Sequence, residues 1–463
     1  MELIFDDPGT ENSTYEYLLA KSSVSLIPNG MAKMKRLKFL AISMIMPIFL
    51  IGCLVDTTEL QQTQSPHPVG PTTSTAITTL IDSTSTITPT TPPTRTPFLT
   101  TAPYDKVPEQ IGDGWQTASL VDVGINPVMI NKMFSSIDPG NKRGIRYSQP
   151  KDSSLFQDIH SILIVKDGCL VFEEYFYHYY QGNRHTLASV TKSITSLLVG
   201  LAIDQGYLSG VDEKILDYFP EYLPLQQSDE RVESITIEDL LTMRHGWECD
   251  EWDPASITYR MKDFDLKHPD LVEATLELPI ETDPGTHFSY CTPSTVILGG
   301  VLQKAIGMKI AKYARENLFN PLDIKTATWI SAAGGWTQTG AGMEMLPRDM
   351  AKIGLLVLQN GNWNGKQIIS ENWIQLSTQE HVSLEPDQPS WGRGYGYLWR
   401  LGDVRIIGTP VQSIYGIGGW QQVIAIFPDL DMVVVINGGD YEEHLGQPFE
   451  ILEGFILPAA LGY

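Results

Sequence analysis

The sequence predicts an α+β fold: an antiparallel sheet flanked by helices, with a mostly helical subdomain inserted at about 205–345. Three observations predict it. Strand-like runs stand at both ends of the region 106–463, helical periodicity fills the middle, and turn residues punctuate the strands. At the front, SILIVKDGCLVFEEYF (Ser161 to Phe176) reads as a hairpin, because Asp167-Gly168 tolerates positive φ at both turn centres. The far end supplies YGYLWRL, QQVIAIF and DMVVVINGG, the last two joined by Pro428-Asp429-Leu430-Asp431. Between them, HTLASVTKSITSLLVGLA (His185 to Ala202) puts Val190, Ile194, Leu197, Leu198 and Leu201 on one helical stripe, capped near Gln205-Gly206. ITIEDLLTMRHGW, STVILGGVLQKAIG and PRDMAKIGLLVLQNG give further helices, and an amphipathic helix fits Pro448 to Leu461. The sheet must therefore close through pieces distant in sequence. No internal repeat is present.

The 463 residues include 42% hydrophobic side chains, enough for a large core. With 32 basic and 55 acidic residues the net charge is -23, which excludes a nucleic-acid partner: nothing replaces the counterions along a phosphate backbone. Met31 to Cys53, MAKMKRLKFLAISMIMPIFLIGC, has a basic segment before an apolar run. That run is shorter than the roughly 20 residues of a membrane-spanning helix and suits a secretory signal. Its end, Leu50-Ile51-Gly52-Cys53, resembles a bacterial lipobox, which implies cleavage before Cys53 and a diacylglyceryl group on its thiol. The expected location is extracytoplasmic, with the membrane reached through that lipid. Residues 1–30 then read as a non-native extension, with translation starting at Met31 or Met34. Residues 54–105 are a Thr/Pro/Ser-rich linker with too few large apolar groups to offset ordering entropy. At about 3.1 Å per residue it reaches up to ~150 Å from a membrane.

Ser189 and Lys192 fall three residues apart where the first helix begins. At that spacing they share a face, so hydroxyl and amine can meet. Unpaired N–H groups and the positive end of the macrodipole lie there. That field and burial of the nitrogen favour an uncharged amine able to accept the serine proton. The Ser189 amide can hold a developing oxyanion. Alone the pattern is weak, since a capping serine with a solvated lysine gives the same letters. It recurs at Ser148-Gln149-Pro150-Lys151, where proline breaks any helix.

LASVTKSITSLLVGLAIDQGYLSGVDEKILDYFPEY, ITIEDLLTMRHGW, PGTHFSYCTPSTVILGGVL and PRDMAKIGLLVLQNGNWNGKQIISENW, in that order, resemble successive blocks of the serine β-lactamase and penicillin-binding-protein superfamily. The resemblance covers most of Asp113 to Gly439. It is to the class C-like branch, which includes D-alanyl-D-alanine carboxypeptidases, esterases and aminohexanoate-dimer hydrolases. It implies a β-lactamase/transpeptidase-like fold, no cofactor, and a serine hydrolase of small esters, amides or peptides working through an acyl-enzyme. Ser189 would be the nucleophile, with Lys192 and Tyr290 (in FSYCTPS) sharing proton transfer. Thr292 stands where many relatives carry asparagine for substrate binding. Ile417-Gly418-Gly419 matches the triplet on the strand facing the nucleophile, and the Trp420 amide would join that of Ser189 in the oxyanion hole.

Relatives place lysine or histidine at the position matched by Ile417, where it meets a substrate carboxylate. Its loss favours neutral esters or amides over penicillins and D-Ala peptides, unless Arg393 or His287 supplies the charge. A non-catalytic surface binding protein is the alternative from another class. Lys325-Thr326-Ala327 and Ser228-Asp229-Glu230 mimic family motifs outside their expected places. Cys249 and Cys291 fall in loops that the family sets around the active-site mouth, and this resemblance implies a disulfide. Cys169 reads as a buried thiol. The nine histidines show no HxH or HExxH arrangement, so no metal site is expected. WGRGYGYLW and WECDEWD suit either a pocket lining or ordinary strand and loop packing. N-terminal sequencing of the precursor is expected to begin at Met31 or Met34, and a start at Met1 refutes the extension.

Overall fold

The computed structural model describes residues 104–137, 156, 158–225, 229–251, 268–384, 389, 392–439 and 446–463. The chain separates into two units, 1–90 and 91–463, and all of these residues lie in the second. The expected extension, the signal with Cys53, and the linker as far as residue 103 fall outside the described residues.

The sheet is built from β1 (Ile159–Lys166), β2 (Cys169–Tyr175), β3 (Arg400–Ile406), β4 (Thr409–Gly418), β5 (Gln422–Phe427) and β6 (Met432–Gly438). Across the sheet they run β2-β1-β6-β5-β4-β3, every pair antiparallel. The closure expected between sequence-distant pieces is the β1–β6 ladder, from Lys166↔Met432 to Ile159↔Gly438. The β1–β2 turn is the expected one, with Asp167 at φ 51° and Gly168 at φ 75°. One edge departs from the antiparallel expectation: Gln116–Thr117 pairs with β2 in parallel, which makes the nine-stranded sheet mixed. A hairpin forces antiparallel pairing, whereas a long connection such as that from 117 to 169 does not.

Alternate residues of the central strands feed two different cores. Leu163, Val165, Val433 and Val435 point to one, and Ile162, Ile164, Val434 and Ile436 to the other. Burial on both faces is why these strands read as nearly continuous apolar runs. The outer core is closed by α1 (Pro127–Ile137) and by the helical C-terminus, Gly446 to Ala460, through Ile130, Met133, Phe449 and Leu452. Cys169, at the head of β2, is half-buried rather than buried.

On the inner side lie α2 (Val190–Asp204), α3 (Thr292–Ile306) and α4 (Pro347–Leu358). The single stripe expected for α2 is not what forms. Every residue from Val190 to Ala202 is buried, including Thr191, Lys192, Ser193, Thr195 and Ser196. The helix is enclosed because α3 and β4 both pack on it. The region 205–345 holds short helical segments around α3; one of them, Ile237–Leu241, starts with a Thr236/Asp239 capping box. Two short strands, Thr328–Trp329 and Met343–Met345, join His185–Thr186 in a small second sheet.

A buried guanidinium ties these layers together. Arg348 of α4 donates to both carboxylate oxygens of Glu173 (2.8 and 2.5 Å), to Asp113 Oδ2 (3.0 Å) and to the Glu109 carbonyl (2.8 Å). Removing one partner strands the others without a counter-charge. Arg348→Met is therefore expected to lower unfolding stability in urea by about 3–5 kcal/mol. A loss below about 1 kcal/mol would show that water screens the cluster.

Candidate active site

Ser189 occupies the N-cap of α2, yet its side chain makes no capping bond. The ordinary job of a serine at this position is thus left undone, and the hydroxyl is available for something else. Ala188, just before it, has a left-handed backbone at φ 43°. For a residue with a Cβ that conformation costs roughly 1–2 kcal/mol. Its neighbours hold it in place: Leu187 N donates to Met343 O (2.8 Å) and Val190 N to Leu187 O (3.0 Å).

Lys192, one turn along, is only 1% exposed. Its Nζ lies 3.0 Å from Ser189 Oγ, 2.7 Å from Thr292 Oγ1 and 2.9 Å from the Gly340 carbonyl oxygen. A nitrogen taken out of water needs such partners, and here three elements provide one each. Thr292, the first residue of α3, therefore spends its hydroxyl on the lysine. The substrate contact expected of Thr292 thus falls on a hydroxyl that already accepts from the lysine. Gly340 was missed by the sequence reading. A Cβ at Gly340 would stand 2.5 Å from Thr292 Cγ2, so only glycine lets this carbonyl come so close.

The face of the Tyr290 ring lies over Lys192, with its centroid 4.9 Å from Nζ. The segment bearing it is laced to residues 245–251. Cys249 and Cys291 are disulfide-bonded, their Cα atoms 5.5 Å apart. Glu251 N donates to Tyr290 O (3.1 Å), the Glu251 carboxylate accepts from Thr292 N, and Ser289 Oγ donates to Cys249 O (2.7 Å). His245 completes the lacing. Its Nδ1 accepts from Trp247 N at 3.1 Å, which leaves Nε2 to donate to Ser289 O at 3.0 Å.

Strand β4 passes Ser189 with its even-numbered residues turned inward. A Cβ at Gly418 would lie 2.3 Å from Leu187 O and 3.1 Å from Ser189 N, so glycine is required there. A Cβ at Gly416 would meet Ser193 Oγ at 3.3 Å. Ile417 lies between them and packs into the outer core. This corrects its assignment to the substrate site: strand alternation turns it to the opposite face, and Gly416 and Gly418 hold the inward positions. Trp420 also sits beyond the closest approach, in the turn after the exposed Gly419, with left-handed backbone at Trp420 (φ 59°) and Gln421 (φ 66°).

A buried polar chain steadies that turn. Ser161 Oγ donates to Asn437 Oδ1 (2.8 Å) and Asn437 Nδ2 to Gln422 Oε1 (2.8 Å). Gln422 Nε2 donates in turn to the carbonyls of Trp420 and Gly438, 2.8 Å each. The sequence offered a signal for this chain, namely polar letters in three otherwise apolar strands. Arg400 was also missed. Its guanidinium lies over Tyr290, 5.6 Å from the centroid, whereas Arg393 and His287 are exposed. Of the aromatic runs, Tyr397 and Trp399 are core residues and Tyr395 stands beside Arg400. Trp391 lies outside the described residues, as do Ser228, Ser148 and Lys151. Lys325 is an exposed partner of Asp323.

A family model described as Beta-lactamase matches residues 160–443. The 6-aminohexanoate-dimer hydrolase of Paenarthrobacter ureafaciens is 23% identical over 293 residues, 59% of this chain and 71% of that protein. Among solved structures, EstCE1, a hydrolase with promiscuous acyltransferase activity, aligns with a TM-score of 0.52 at 17% identity, covering 63% of this chain and 91% of the other. The octameric penicillin-binding protein homologue from Pyrococcus abyssi gives 0.51 at 19%, covering 65% and 73%. At these identities the likeness to solved structures is one of fold, a β-lactamase/transpeptidase-like sheet flanked by helices.

Two buried histidines near the site resist protonation. Burial pushes both His185 and His245 down from 6.5 to about 4. The unfolded chain binds these protons near pH 6.5 and the folded chain does not, so their contribution is complete above that pH and lost as pH falls toward 4. The loss is about 2 kcal/mol per histidine by pH 5. The thermal midpoint is expected to drop between pH 7 and 5, and to drop less in His185→Gln. Equal slopes in the two proteins would contradict this.

Proposed function

The chain belongs to the beta-lactamase family, and on that premise we propose that it is a serine hydrolase cleaving an ester or amide through an acyl-enzyme on Ser189. The observation that carries the reading is the 3.0 Å approach of Lys192 Nζ to Ser189 Oγ at a lysine 1% exposed. A neutral amine has two N–H donors and one lone pair. With the donors given to Thr292 Oγ1 and Gly340 O, the lone pair faces the Ser189 hydroxyl and accepts its proton. The alkoxide oxygen attacks the substrate carbonyl, and the developing oxyanion is held by the Ser189 amide and one from the Gly419–Trp420 turn. Collapse expels the leaving group, which takes the proton back from the amine by way of Tyr290 or directly. Water then attacks the acyl ester along the same route and regenerates Ser189.

The reaction is set outside the cytoplasm, on a domain tethered through lipid at Cys53. The Cys249–Cys291 bond supports this, because disulfides persist in oxidising compartments.

Intact-protein mass spectrometry after a fluorophosphonate, a chromogenic ester and a penicillin tests the proposal. The fluorophosphonate adduct is expected on Ser189. Ser189→Ala is expected to abolish adduct and turnover with circular dichroism unchanged, and Lys192→Ala to lower turnover by about 10²–10⁴-fold. No adduct and no turnover in the unaltered protein would identify a binding protein instead. A stable penicilloyl adduct would identify a peptidase-like site.

A further inference from the structure

Arg400 opens β3, in register with Tyr415 on one side and Tyr395 on the other. Its guanidinium carbon lies 5.6 Å from the Tyr290 ring centroid and 5.9 Å from that of Tyr395. Lys192 Nζ lies 4.9 Å from the same Tyr290 centroid, so the amine and the guanidinium are separated by no more than the sum of two short distances. We propose that Arg400 binds a carboxylate of the substrate, so that the site prefers anionic esters or amides whose carboxylate is a few carbons from the scissile carbonyl. The proposal rests on the reading of Ser189 as nucleophile and narrows its substrate class.

The Arg400 guanidinium has hydrogen-bonding capacity that no described side chain meets. Arg400 is half-buried, and among the described residues its contacts are ring faces, with no carboxylate in ion-pair range. The contrast with other arginines is plain: Arg348 has Glu173 and Asp113, and Arg231 has Asp229 and Asp283. Five N–H donors partly withdrawn from water want an acceptor, and a planar fork fits a carboxylate by two parallel bonds. The neighbouring groups do not supply it. The Glu251 carboxylate is committed to Thr292 N. Tyr395 is held a neutral phenol, because burial first, and then Tyr290 and Glu251, push its ionisation well up. The inward positions of β4 nearest Ser189 are Gly416 and Gly418, so no second cation competes for the same anion from that strand. Lys192 is enclosed by its three oxygens. A chain of net charge -23 repels anions at long range, so an anionic substrate needs a short-range anchor such as this one.

The test compares p-nitrophenyl hydrogen glutarate with p-nitrophenyl hexanoate, acyl groups of similar length of which one carries a carboxylate. The unaltered protein is expected to favour the glutarate ester in kcat/KM. Arg400→Gln is expected to lower the glutarate-to-hexanoate ratio about 10–100-fold, chiefly through KM, and Arg400→Lys to recover part of it. A ratio the same in all three proteins overturns the proposal. If Arg400→Gln does not fold, Arg400→Lys alone carries the comparison, with a smaller fall in the ratio expected. Calorimetric titration of monoethyl glutarate into Ser189→Ala separates this proposal from the hydrolase reading. Binding that disappears in Ser189→Ala/Arg400→Gln supports the anchor even where no ester is turned over, and equal affinity in both proteins overturns it while leaving Ser189 chemistry untouched.

Discussion

The whole site depends on taking one amine out of water. Lys192 departs far from ordinary burial preferences, a lysine with 1% exposure inside a helix buried on all sides. Such a nitrogen is tolerable only where oxygens replace its hydration. Those oxygens come from α2, from the first residue of α3 and from the backbone at Gly340, so three segments far apart in sequence must converge on one point. The approach of Lys192 to Ser189 is then a consequence of the same packing that folds the chain.

That demand spreads outward through polar contacts rather than through the apolar cores. The disulfide, Glu251 and His245 lace the Tyr290 segment to residues 245–251, and they act on backbone atoms on both sides of the tyrosine. From the other direction, Ser161, Asn437 and Gln422 carry a hydrogen-bonded chain across β1, β6 and β5 to the carbonyl of Trp420. In a low-dielectric interior such chains are strong when complete and costly when broken. They fix the Tyr290 segment and the Gly419–Trp420 turn, which apolar packing alone would leave free to slide.

Two neighbouring strands approach Ser189 and Tyr290 in different ways. β4 brings backbone close to Ser189 by giving up side chains at Gly416 and Gly418, and β3 contributes the guanidinium beyond Tyr290. A strand reduced to glycine where it approaches Ser189 presents no cation on that face. The guanidinium beside Tyr290 stands instead on the neighbouring strand, at Arg400.

Much of this was legible in the letters. The β1–β2 hairpin followed from Asp167-Gly168, the paired strands β5 and β6 from their apolar runs, and Ser189 and Lys192 from helical spacing, because each is a local property of backbone geometry. What the letters did not hold was direction. Ile417 looked like a site residue and faces the outer core; Thr292 looked like a substrate contact and serves the lysine. Gly340 and Arg400 carried no local signal at all, since their meaning lies in what comes to meet them from elsewhere in the chain. Sequence by itself determined the elements and the pairing of Ser189 with Lys192. Which face each strand turns inward, and which distant atoms close around Lys192, were decided only when the helices and sheet packed, because burial is a property of the assembled layers and not of any one segment.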